Sequence, residues 1–121
     1  MPLPVLVADD SPAARYVVVR DVRARGLEVL EEASVAGASG VDPAGIACAL
    51  LDLELEDGTG TDIAARLRER RSDLPIAFFS SANSGDLLDR ARAMGPVFAK
   101  PDQLGLAVAW VVENAGTRAP A

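Results

Sequence analysis

Apolar residues fall along the chain in five short runs, at residues 3–8, 27–31, 46–51, 75–80 and 97–99. Short apolar runs bounded by turn residues predict strands buried on both faces, as in a parallel sheet. The second run carries Glu28 and Glu31 and reads as an edge strand. Between the runs, apolar positions recur at helical spacing. Ser11 and Pro12 predict a helix start, with Gly26 as its stop. Ala14, Val18 and Val22 share its inner face, while Arg15, Arg20 and Arg23 point elsewhere. Residues 34–45 hold Gly37, Gly40, Pro43 and Gly45 and predict one or two helical turns at most. Residues 54–61 read as a loop and 62–71 as a helix with Ile63, Ala64 and Leu67 inward. A further helix starts at Ser84 or Asp86, carries Leu87, Leu88, Ala91 and Met94, and ends at Gly95-Pro96. The last helix, 102–114, turns Leu104, Val108 and Val111 inward and leaves Leu106 and Trp110 on the other side.

This alternation predicts an α/β fold: a five-stranded parallel sheet with helices on both faces, right-handed crossovers and strand order 2-1-3-4-5. Residues 1–115 form one domain and residues 116–121 a loose tail.

Composition narrows the chemistry. Half of the residues are apolar but few are aromatic, so Ala, Val and Leu must build the core. No run approaches the roughly 20 apolar residues of a membrane span, and no secretion signal is visible, so a cytoplasmic location is expected. The net charge of -6 argues against nucleic-acid binding. The absence of histidine removes histidine triads and most zinc sites. Cys48, inside the third apolar run, reads as a small core residue. Eleven of the twelve basic residues are arginine, and the one lysine, Lys100, stands before Pro101 at a strand end. A compact ammonium on a flexible stem is not interchangeable with an arginine fork there.

Ligands of open α/β sheets bind beyond the carboxyl ends of the strands. Asp9 and Asp10, Asp52, Ser81 and Lys100 stand at four such ends. Taken singly they read as a helix-favouring charge pair, a loop entrance, a turn cap and a solvated lysine. Their shared place in one crevice is what singles them out. Two carboxylates about 5 Å apart repel by roughly 3 kcal/mol at an effective dielectric near 20. Three together raise a pKa or demand a cation. Oxygen ligands without histidine or thiolate suit magnesium. A carboxylate beside it is a nucleophile for phosphoryl transfer, and Lys100 and Ser81 can meet the phosphoryl oxygens.

At Val7-Ala8-Asp9-Asp10-Ser11, Leu50-Leu51-Asp52-Leu53, Gly60, Ser81-Ala82 and Lys100-Pro101 the chain resembles the response-regulator receiver domain of two-component phosphorelays, a flavodoxin-like fold. The resemblance covers nearly the whole chain. It implies that Asp52 is the phosphoacceptor, with Asp9, Asp10, Asp52 and the backbone carbonyl of Glu54 around Mg2+. It makes Ser81 the switch hydroxyl and Lys100 the phosphoryl contact, with a cis bond before Pro101. It implies a histidine kinase or histidine phosphotransfer protein as donor, and output to a downstream protein through helix four, strand five and helix five. Glu54 and Asn83 flank the pocket and would tune the phosphate lifetime. The chain departs from the family at Val97, where an aromatic rotamer switch is common and Phe98 faces the other way. It departs again at Glu56, where a proline is common. The second-helix region and the segment from Ser81 to Lys100 are also short.

The leading expectation is therefore a phosphoacceptor switch and not an enzyme. A phosphorylation-independent interaction module is the alternative. A Mg2+-dependent aspartyl phosphohydrolase fits less well, since Glu54 stands where such enzymes carry a second aspartate. Trp110 reads either as partly buried packing or as a patch for a homodimer or another partner.

Overall fold

A computed structural model describes residues 3–82 and 85–116. The element order is β1 (Val5–Ala8), α1 (Pro12–Ala24), β2 (Val29–Glu32), α2 (Val35–Ser39), a 3-10 turn (Pro43–Gly45), β3 (Cys48–Leu51), β4 (Glu54–Leu55), β5 (Gly58–Thr59), α3 (Gly60–Arg70), β6 (Ile76–Ser80), α4 (Asp86–Met94), β7 (Val97–Ala99) and α5 (Leu104–Gly116). Strands β2-β1-β3-β6-β7 form one parallel sheet, which is the expected 2-1-3-4-5 order of a flavodoxin-like receiver fold.

Successive strand residues point to opposite faces, and the sheet divides its apolar side chains accordingly. Leu6, Ala49, Leu51, Ile76 and Phe78 pack with α2, α3 and α4. Val5, Val7, Cys48, Leu50, Ala77 and Phe79 pack with α1 and α5. Cys48 is fully buried, and burial pushes its thiol up to about 12, so it behaves as a core residue. On α1, Val18, Val19 and Val22 are buried. On α5, Val108 and Val111 are buried, Trp110 packs against the α1–α5 layer, and Leu106 is 56% exposed.

Three boundaries differ from the sequence reading. Residues 54–61 are not an open loop: β4 and β5 pair as a short antiparallel hairpin. Helix α3 starts at Gly60, because Thr59 and Asp62 close a reciprocal capping box two residues earlier than expected. Helix α5 starts at Leu104 and includes Gly116, so the expected tail lies outside the described residues from 117 on. Helix α4 starts at Asp86, one of its two expected starts, behind Gly85, whose φ is 98°.

Arginines close the end of the sheet away from the strand carboxyl ends. Arg68 donates to the carbonyls of Leu74 and Met94, Arg70 to that of Ser39, and Arg71 to those of Pro43 and Ile46. A planar fork satisfies several carbonyls at once, which an ammonium does not do with the same geometry. No helix among the described residues is long and apolar enough to cross a membrane.

Candidate functional site: an acidic pocket with one lysine

Register places the site. Ala8 lies opposite Leu51, so the residues that follow, Asp9 and Asp52, emerge side by side. Ser80 lies opposite Ala99, which brings Lys100 to the same edge. The amide of Asp52 donates to the carbonyl of Ala8 at 2.8 Å, and that of Lys100 to Ser80 at 3.0 Å. The chain leaves β1 into α1 through Ser11, whose hydroxyl accepts from the Ala14 amide at 3.3 Å, and Pro12 sits inside the first turn.

Asp9 is 4% exposed and both its carboxylate oxygens are engaged. One accepts from the Ser11 amide at 2.9 Å, the other from the Lys100 ammonium at 2.6 Å. Lys100 also lies 3.3 Å from Asp52 and 5.7 Å from the centre of the Phe79 ring. Asp9, Asp10 and Asp52 each offer an oxygen within 4.8 Å of the others. Burial raises the Asp52 carboxyl above its ordinary value; the Lys100 charge opposes that, Asp9 adds to it, and the Glu54 amide, hydrogen-bonded to the Asp52 side chain, lowers it. The three-carboxylate set can hold a metal ion, and an all-oxygen donor set suits a hard divalent cation.

Gly60 fixes the floor of the loop. A Cβ there would stand 2.1 Å from the Asp52 carbonyl, and the Gly60 amide donates to Leu53 at 2.9 Å. Only glycine allows this approach. Glu54 opens β4 with an exposed side chain. The Lys100-Pro101 bond is cis.

Of the expected site residues, the structure brings together Asp9, Asp10, Asp52 and Lys100, with the Glu54 backbone against Asp52. Ser81 is exposed, one residue past β6. The preceding Ser80 is 1% exposed, ends the strand, and accepts from the Ala82 amide at 3.2 Å. Alternation from Ile76 and Phe78 puts Ser80 on the α3–α4 side. Val97 packs on that same side, while Phe98 packs on the other. Beside Val97, a cleft of about 340 Å³ opens, lined by Ala82, Leu88, Arg92, Ala99 and Gln103. Asn83 lies outside the described residues.

The model of the response regulator receiver domain family matches residues 5–99. The photosynthetic apparatus regulatory protein RegA of Rhodovulum sulfidophilum is 38% identical over 73 residues, which cover 60% of this chain and 39% of that protein. The chain thus spans well under half the length of this relative. Among solved structures, the signal receiver domain of a NarL response regulator from Mycobacterium tuberculosis is 25% identical, with a TM-score of 0.79 over 97% of this chain and 98% of that one. The non-phosphorylated HemR receiver domain from Leptospira biflexa shares the fold with a TM-score of 0.83 at 19% identity, over 98% of each chain.

Proposed function

The chain belongs to the response regulator receiver domain family, and we propose that it is a phosphoacceptor switch, phosphorylated on Asp52 by a histidine kinase or a histidine phosphotransfer protein. The observation that carries this reading is the Lys100 ammonium set between Asp9 and Asp52, with Asp10 completing the acidic cluster. A carboxylate oxygen of Asp52 attacks the phosphorus of a phosphohistidine. The P–N bond breaks, its electron pair stays on the imidazole nitrogen, which takes up a proton, and an acyl phosphate remains on Asp52.

Asp9, Asp10, Asp52 and the Glu54 carbonyl would hold Mg2+, which when bound neutralises phosphoryl oxygens. Lys100 then contacts the phosphoryl group from the β7 side. Phosphorylation adds about -1.5 to -2 charge. The hydroxyl that answers it is assigned to Ser81, which follows Ser80 as Lys100 follows its partner Ala99; the buried Ser80 is the neighbouring alternative. Movement of that hydroxyl biases the surface of α4, β7 and α5, through which a downstream protein, or a second copy by way of Leu106 and Trp110, is contacted. Like its donor, the domain would work in the cytoplasm. Intact mass tests the reading: one phosphate should be gained from acetyl phosphate or phosphoramidate only when magnesium is present.

A further inference from the structure

The β4–β5 hairpin is too small to be stable alone, having two residues in each strand. Its inner side is anchored by Leu53 and Leu55, both buried. Its exit is anchored by Gly60 against the Asp52 carbonyl. Its tip is anchored differently. Asp57 is exposed, yet both its carboxylate oxygens accept backbone amides from another element, Val35 at 2.8 Å and Ala36 at 3.0 Å. Gly58, at φ 152°, lets the tip approach, since a Cβ there would stand 3.1 Å from Val35. At the other end of the same hairpin, Glu54 opens β4 two residues after Asp52. Two residues, Leu55 and Glu56, separate Glu54 from Asp57. The position often filled by a stiffening proline in the family is Glu56 here, so the loop has no ring to restrain it.

We propose that Asp57 is a positioning residue for the phosphoacceptor site: by tying the hairpin tip to the start of α2, it holds the backbone of Glu54 against Asp52 and in place for the metal. This rests on the reading of the acidic pocket given above. The Asp57 tie replaces covalent stiffness with two charge-assisted hydrogen bonds, and acts on the site through Glu54 without touching the reacting atoms.

Calorimetric titration of the chain with magnesium chloride tests it, on the native chain, Asp57→Ala, Asp57→Asn and Asp42→Ala, with thermal melts to confirm folding. Asp42 is the control: it is an exposed carboxylate that caps the 3-10 turn through the Ala44 amide at 3.0 Å. Asp57→Ala should weaken magnesium binding by about tenfold, the scale of losing a group that orients a metal ligand. Asp57→Asn, which keeps one acceptor oxygen, should fall between it and the native chain. Asp42→Ala should stay within about twofold of native. Native affinity retained in Asp57→Ala, or an equal loss in Asp42→Ala, overturns the inference. A native chain that binds no magnesium overturns the reading of the pocket itself, and the positioning role with it.

Discussion

The Lys100 ammonium lies 2.6 Å from a carboxylate oxygen of Asp9, closer than to Asp52 at 3.3 Å. On the proposed function, the side chain that would meet a phosphoryl group is thus paired in advance with a residue that would hold the metal. Removing it leaves three carboxylates without a cation. Lys100→Met should lower stability in the absence of metal by about 2 kcal/mol, since it unpairs a largely buried carboxylate. The same variant should bind magnesium more tightly than the native chain, because the ion no longer competes with the ammonium for Asp9. Urea denaturation and magnesium titration of the two proteins check both signs.

Asp52 gives a pH dependence of definite sign. Burial raises its carboxyl above the ordinary value of 3.8, and the Asp9 charge adds to this. The folded state therefore binds that proton more tightly than the unfolded chain does. Its contribution is fully present below 3.8 and is lost as pH rises through the higher folded value. Without metal, Asp52→Asn should be more stable than native by about 1 kcal/mol near neutral pH. The difference should close as the pH falls below the carboxylate range, measured by urea denaturation at both ends. Asp57 has the opposite sign: the amides of Val35 and Ala36 hold its carboxyl low, so its contribution is present at neutral pH and lost on acidification.

Gly60 should not tolerate a side chain. A methyl group would stand 2.1 Å from the Asp52 carbonyl, a backbone atom that cannot rotate away. Gly60→Ala should cost about 2 kcal/mol or more and slow phosphorylation, because the acceptor loop must shift. Unaltered labelling kinetics in a folded variant would mean that the loop relaxes without consequence.

The two adjacent serines separate by experiment. Ser81→Ala should still accept phosphate but lose the amide shift changes over α4, β7 and α5, read by two-dimensional NMR of the phosphorylated chain. Ser80→Ala should keep them. The reverse result would move the switch role to the buried hydroxyl.

The sheet and the four-residue acidic pocket were legible because their causes are local. Each apolar run is a strand, each run's last residue is at the edge, and strand order brings those ends together. What was not legible depends on residues far apart in sequence. The tie from Asp57 to Val35 spans 22 positions, and nothing in an exposed Glu-Asp-Gly turn marks a partner that distant. The hairpin escaped because two-residue strands carry no alternation to read. Arginine's dominance was visible, but its cause was not: Arg68 reaches Met94 across 26 positions.

The Arg68 contacts carry their own expectation. Its guanidinium donates to the Leu74 carbonyl at 3.1 and 3.2 Å and to Met94 at 2.7 Å. Arg68→Lys should lose about 2 kcal/mol, because an ammonium cannot span both carbonyls. Urea midpoints of the native, Lys and Ala forms check it, and a fully stable Lys form would contradict it.

Intact mass after incubation with magnesium and phosphoramidate, for the native chain beside Asp52→Asn, tests the central claim most directly. The account predicts one phosphate on the native chain, none when magnesium is withheld, and none on the variant. An adduct that persists on Asp52→Asn would contradict the assignment of the acceptor. A native chain that never gains phosphate would contradict the switch itself and leave a phosphorylation-independent interaction module in its place.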